Sequence, residues 1–333
     1  MAELSDQLLV VAVLAYLAGM LGHLAEYSFG ARGPVARAAA PRQRVLVGAS
    51  VSAGPGEPVS PVQPGQPPRP PAANGARASG ASATRLGRVA VVLTVVAVAA
   101  HAGVLVTRGL AAGRVPWGNM YEFVVALSLV GAVGWLVLLA RRPALRLVGL
   151  FVTLALVLIL GFAGMVLYTD VAPLVPALNS YWLKIHVSAA ATSSGLLLLA
   201  SVPAMLFLVR AGYDAGKRRF PYPVGAKLPA ADTLERLAFR LHAFAFPIWT
   251  FAVICGAIWA EAAWGRYWGW DPKEIWSFVS WVAYAAYLHA RATPSVKRTT
   301  ATWLAVVAWI TMLVNLYVIN FVAVGLHSYA GVD

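Results

Sequence analysis

Residues 242–291, HAFAFPIWTFAVICGAIWAEAAWGRYWGWDPKEIWSFVSWVAYAAYLHAR, hold the pattern that decides the fold. An apolar run over 242–260 is followed by a short break dense in rings and charges, then by a second apolar run over 275–291. About 20 apolar residues suffice for a helix to cross a bilayer. Working outward from this pair, six more such runs occur at roughly 7–28, 88–110, 119–140, 146–168, 186–210 and 301–326. The pattern predicts an all-α, polytopic membrane protein of about eight transmembrane helices, with a tryptophan-rich loop between the sixth and seventh.

Composition agrees. The chain is 60% hydrophobic and only 12% charged, with a mean hydropathy of +0.71, whereas a soluble domain is nearer half apolar and a quarter charged. The first run carries Glu3 and Asp6 instead of a basic leader and shows no clear small-residue cleavage site, so it reads as a true span rather than a signal peptide. Threading eight spans puts segments 29–88, 141–146, 210–240 and 291–300 on one side, with 21 of the 26 Lys and Arg residues. Only Arg108, Arg114, Lys184, Arg266 and Lys273 fall opposite. Basic loops stay cytoplasmic, so both termini and the tryptophan-rich loop are expected outside a cell (plasma or inner) membrane. The net charge of +13 then belongs to cytoplasmic loops and does not call for nucleic acid.

Three parts follow: an N-terminal transmembrane helix over 1–30, a cytoplasmic linker over 31–87, and a seven-helix unit over 88–333. The linker holds 10 of the 21 prolines, with much Gly and Ala and no apolar period, and is expected to be disordered. Segment 229–241 reads as a short amphipathic helix along the inner interface, with Asp232 as N-cap and Glu235 three residues on.

The break itself reads Trp-Gly-Arg-Tyr-Trp-Gly-Trp-Asp-Pro-Lys-Glu at 264–274, and six of the 12 tryptophans lie between 259 and 281. Asp271-Pro272-Lys273-Glu274 is a complete helix-start signal, and tryptophans are common at membrane interfaces as anchors. Six within so short a stretch exceed what an anchor belt requires. Flat rings beside fixed charges suit a large planar amphiphile such as a porphyrin with two carboxylates. Trp264 and Trp268 would share a face if the approach to the loop is helical. Trp268 and Trp270 could stack on the ring, and Arg266 and Lys273 could meet its carboxylates.

Of six histidines, His186 opens the fifth span and His327 closes the eighth, which brings both level with this loop. Two facing imidazoles there would make a bis-His haem site. His289 is 14 residues past Ile275, about 21 Å deeper. It could serve a second, transmembrane haem, with His23, His101 or a residue of another protein opposite. A packed, hydrogen-bonded role remains the plain alternative for each. Cys255 is the only cysteine, so no internal disulfide or Cys-x-x-Cys couple exists and any thiol chemistry uses a partner's thiols.

These residues together resemble the CcsA/ResC-type membrane subunit of the System II cytochrome c synthetase. The resemblance rests on the tryptophan-rich "WWD" segment, taken as 259–276 and matching through Glu274. It also rests on Trp-Leu-Lys-Ile-His-Val at 182–187, Tyr-Leu-His-Ala-Arg at 287–291, Gly-Leu-His-Ser-Tyr-Ala at 325–330 and Pro-Trp-Gly-Asn-Met-Tyr-Glu at 116–122. It spans about 88–330. It implies haem b as substrate and ligand, with His186 and His327 as external axial ligands and His289 as a transmembrane ligand. Trp264, Arg266, Trp268, Trp270, Asp271 and Lys273 would contact the haem. The implied function is presentation of haem, and its translocation, for thioether attachment to the Cys-x-x-Cys-His motif of apocytochrome c. The chain would be one subunit of a holocytochrome c synthase complex. A ResB/CcsB-type subunit and a thioredoxin-like thiol reductant acting on the apocytochrome are the implied partners. His23, His101 and His242 receive no role. The alternatives are a System I-type haem delivery protein, which shares the WWD loop, and a secondary transporter with an external aromatic gate. The transporter predicts internal repeats that the sequence does not show.

Overall fold

The computed structural model describes residues 1–29, 74–174, 178–323 and 325–327, with 74–84 as backbone alone. Among these residues there are helices and no strand. In chain order they are α1 (Ala2–Phe29), α2 (Asn74–Ala112), α3 (Met120–Arg141), a 3-10 turn (Pro143–Val148) and α4 (Gly149–Val166). Then come α5 (Tyr181–Asp214), a second 3-10 turn (Tyr222–Lys227), α6 (Ala231–Trp264), α7 (Pro272–Ala292) and α8 (Arg298–Leu313). A π-turn (Val314–Val318) joins α8 to the short α9 (Ile319–Val322).

Among the described residues, seven helical segments are long and apolar enough to cross a membrane. The predicted seventh span, α7, is not among them, because Lys273, Glu274, Ser277, Ser280, His289 and Arg291 dilute its 21 residues. It nevertheless runs antiparallel to α8 from end to end. Lys273 at its start bonds the Asn315 carbonyl and Asn320 past the end of α8 (2.9 and 3.0 Å), while Arg291 at its end pairs with Glu235, which also faces Arg298 at the start of α8. Among the described residues, eight long helices therefore pack side by side, seven of them long and apolar enough to cross a membrane against the eight spans expected.

The core draws residues from α1 through α8, with the largest share from α3, α4 and α5, among them Leu127, Trp135, Leu156, Leu160 and Leu197. Where α5 crosses α3, a Cβ on Gly195 would stand 2.3 Å from the Leu127 carbonyl. Only glycine permits that approach, as small residues do in membrane bundles generally.

The loops gather at two ends. At one, Tyr168 donates to Asp6 (2.9 Å), Arg108 pairs with Glu122 (3.0 Å) and Asn320 reaches Met120 (3.2 Å). At the other, Arg146 pairs with Glu26 through Nε (2.9 Å), and Tyr27 donates to the Val224 carbonyl (2.8 Å). The alternation expected of consecutive spans is met.

Two boundaries differ from the sequence reading. Helix α2 begins at Asn74 rather than near residue 88, so the C-terminal part of the predicted linker is helical. Pro71 is the last proline before it, and Ala76, Ala78, Ala81 and Ala83 favour helix beyond, against Gly75, Gly80 and Gly87. The rest of the linker lies outside the described residues. The predicted interfacial helix at 229–241 is not separate but forms the first turns of the 34-residue α6, since no breaker stands between Leu241 and His242. Its N-cap is Ala230, without a side-chain cap, rather than Asp232.

Candidate functional site

Helix α6 stops at Trp264 because Gly265 adopts φ +72° and its N–H returns to the Glu261 carbonyl (2.8 Å), a glycine C-terminus. Seven residues, 265–271, separate the two helices, and α7 starts by the expected capping box. The Lys273 N–H donates to Asp271 Oδ1 (3.1 Å), and the Asp271 and Gly269 N–H groups donate to Glu274 Oε2 (3.1 and 2.8 Å). Trp270 just before it is the one non-glycine residue with positive φ (59°) among the described residues. The helical relationship expected of Trp264 and Trp268 fails, since the helix ends between them.

The tryptophans divide into layers. Trp259 is buried and packs with Trp264 on Leu178 and Leu183. Trp268 meets Trp270 edge to face (5.8 Å), and Trp270 is 66% exposed. Trp281 instead donates to Thr250 (2.9 Å) within the bundle.

His186 and His327 come to one place. The Trp259 indole is stacked beside His186 (centroids 5.9 Å, 9° between planes) and lies 5.5 Å from His327, which also touches Trp264 (4.8 Å). His186 Nδ1 lies 2.8 Å from the Ala252 carbonyl, which can only accept, so Nδ1 carries the proton. His327 Nδ1 lies 2.9 Å from Asp271 Oδ1. Burial works against the charge on Asp271. The hydrogen bonds from His327 and the Leu326 N–H, the facing imidazole and the Lys273 N–H outweigh it and hold the carboxyl at about 2. The carboxylate is thus an acceptor, and His327 Nδ1 is the donor. A neutral imidazole tied at Nδ1 leaves the Nε2 lone pair for a ligand. Among the described residues neither Nε2 makes a hydrogen bond.

Both imidazoles line a cavity of about 200 Å³ between α3, α5, α6, α7 and α8. Its wall is largely apolar (Leu127, Trp249, Val253, Met312), and Trp117, Trp268 and the polar Lys273, Asn315 and Asn320 also line it. Of the other residues singled out from sequence, Trp264 and Asp271 act one layer back, against His327. Arg266 folds onto Gly269, where its Nη1 would lie 0.7 Å from a Cβ, and Nη1 is buried without a hydrogen bond among the described residues. Lys273 lines the cavity but already bonds Asn315 and Asn320, and an ammonium has three donors.

His289 is not brought to this group. It is exposed near the far end of α7. His101 is a satisfied core residue, between Tyr16 (3.3 Å) and the Val125 carbonyl (2.9 Å). His242 bonds the Ala238 carbonyl and packs on Tyr284 and Tyr287. His23 is buried against Gly149.

Sequence reasoning missed Trp259 as a neighbour of both imidazoles, and it missed Glu122. That buried carboxylate accepts from Arg108 (3.0 Å), Arg114 (2.7 Å) and the Gly118 N–H (2.7 Å), which explains two of the five basic residues on the basic-poor side. Arg108 also bonds the Thr169 carbonyl, so the pair anchors the two loops beside the cavity. The signal available was the presence of Arg108 and Arg114 where basic residues are otherwise scarce.

Residues 117–327 match the model of a family described as Cytochrome C assembly protein. The chain is also similar to curated proteins called cytochrome c biogenesis protein CcsA. That of Guillardia theta is 35% identical over 242 residues, covering 68% of this chain and 80% of the relative. That of Gloeothece citriformis is 33% identical over 273 residues (68% and 83%), and that of Oryza sativa 32% over 266 (68% and 81%).

Proposed function

Since the chain belongs to the cytochrome c assembly protein family, we propose that it works in cytochrome c biogenesis by binding haem b at the tryptophan-rich end of the bundle and presenting it to apocytochrome c. The observation that carries this reading is the pair His186 and His327, each tied at Nδ1 and open at Nε2, on the wall of one apolar cavity. Two imidazoles supply the two axial ligands that a macrocycle leaves vacant.

The cavity is smaller than the roughly 300–1,000 Å³ of pockets that enclose a whole ligand. A haem would therefore extend beyond it, toward Trp268 on its lining and the exposed Trp270 packed on Trp268. Thioether formation needs the vinyl edge outward, which turns the opposite, propionate edge inward to the third donor of Lys273. Arg266 serves a carboxylate only after leaving Gly269. At each vinyl the cysteine sulfur bonds one carbon and the thiol proton ends on the other, so nothing leaves and no oxidant is consumed. Cys255 is buried and single, so the thiols come from the apocytochrome, kept reduced by a thioredoxin-like protein. The chain acts beside a ResB/CcsB-type subunit, in the synthetase complex as a whole.

We place the tryptophan-rich end and both termini outside the cell membrane, with the linker and the Arg-rich end in the cytoplasm, on the count of basic residues. His289, exposed near the far end of α7, would serve as a ligand to a second haem held between this chain and its membrane partner. A host lacking its own cytochrome c assembly proteins, given this chain and its partner, should accumulate covalent cytochrome c. It should fail to do so with His186→Ala/His327→Ala, and normal maturation by that variant at equal protein level would refute the site.

A further inference from the structure

We infer that the two imidazoles are unequal ligands: His327, backed by the Asp271 carboxylate, anchors the bound haem, and His186, backed by a peptide carbonyl, is the ligand that yields to the incoming histidine of the apocytochrome. This rests on the haem reading above.

The two rings are held by different chemistry. Asp271 is nearly buried, and both its oxygens are committed: Oδ1 to His327 Nδ1 (2.9 Å) and the Lys273 N–H (3.1 Å), Oδ2 to the Leu326 N–H (2.7 Å). It cannot turn away from the imidazole without giving up the start of α7. A Cβ on Gly325 would lie 2.5 Å from Oδ2, so the chain before His327 is drawn close against this carboxylate. An N–H that donates to an anion shares more of its proton and leaves the opposite nitrogen more electron-rich. His327 Nε2 is thereby the stronger donor to a metal.

His186 has no such partner. Its Nδ1 meets the neutral Ala252 carbonyl (2.8 Å), part of the α6 backbone, and its ring is kept in place by packing on Gly256 and Trp259. Packing fixes direction without adding electron density. Of two axial bonds on one iron, the one to His186 is the weaker. When the apocytochrome's neutral imidazole arrives, one Fe–N bond forms as the Fe–His186 bond breaks. His186 keeps its Nδ1 proton, so neither proton nor electron is exchanged.

The experiment uses the purified full chain with its membrane partner. Haem retained after washing is measured for wild type, His186→Ala, His327→Ala and the double variant, with added imidazole as the exchange probe and the midpoint potential as a second readout. Outer-site retention should stay close to wild type in His186→Ala, which should take up added imidazole, and fall about tenfold or more in His327→Ala. Asp271→Asn keeps an oxygen for the helix cap, so its thermal unfolding should stay near wild type. Loss of the charge should raise the midpoint potential and, combined with each histidine variant, remove the difference between them. Equal losses in the two single variants, or a greater loss in His186→Ala, would overturn the inequality while leaving the haem site standing. So would an Asp271→Asn variant with an unchanged potential. Undiminished haem in the double variant would instead remove the haem reading itself.

Discussion

A Cβ on Gly256 would stand 2.8 Å from Cε1 and 2.9 Å from Nδ1 of His186, so the imidazole borne by α5 lies flush on the backbone of α6. Real Cβ contacts are not that short, and the ring, not the helix, has to move. Gly256→Ala should therefore push His186 off the Ala252 carbonyl and open its side of the site, so that added imidazole binds more readily while haem stays bound. Alanine is the better helix former by about 1 kcal/mol, so folded yield should hold. Imidazole uptake per mole of folded protein is the measurement, and uptake equal to wild type would mean that this seat does not position the ligand.

Glu122 is fully buried between Arg108 and Arg114, and Arg108 is 1% exposed. Glu122→Gln leaves a buried guanidinium without its counter-charge, which typically costs about 3–5 kcal/mol. The variant should unfold at markedly lower temperature in detergent and accumulate poorly in membranes. A melting curve that overlays the wild type would show that solvent or lipid headgroups reach Arg108.

Trp270 combines positive φ with an exposed ring, an arrangement that stores about 1–3 kcal/mol and persists where structure or function demands it. Trp270→Gly relieves the backbone and removes the ring together. Stability should rise while haem retention falls, a divergence read by thermal unfolding and by absorbance on the same sample. A ring serving only as a membrane anchor would leave retention unchanged.

The basic-residue count predicts that a reporter fused at Arg218, between α5 and α6, is active on the cytoplasmic side. One fused after the C-terminus should be active outside. The reverse pattern would overturn the orientation, though not the pairing of loops at each end.

The spans were legible because eight apolar runs leave a helix few other states. Even α7, too polar to qualify by composition, kept its place through Lys273 and Arg291. The meeting of His186 and His327 was legible from topology alone, since alternate spans bring the start of the fifth and the end of the eighth to one end. Their hydrogen bonds were not, because Ala252 and Asp271 lie 66 and 56 residues from their partners and one sequence carries no sign of such pairing. Asp271 looked like a helix cap or a haem contact; it is the cap and also the support of His327. That Trp264 and Trp268 share no helical face was also legible, because Gly265 directly after a helical run is a stop signal. Lys273 could be recognised as a cation near the site, but its bonds to Asn315 and Asn320 depend on the π-turn that ends α8.

The most direct test of the central claim is the absorbance spectrum of the purified chain with its membrane partner, wild type against His186→Ala/His327→Ala, at matched folded protein. The wild type should show the sharp reduced bands of a six-coordinate bis-histidine haem, and the double variant should lose the outer-site share of them. Identical spectra and identical haem content in the two proteins would contradict the claim.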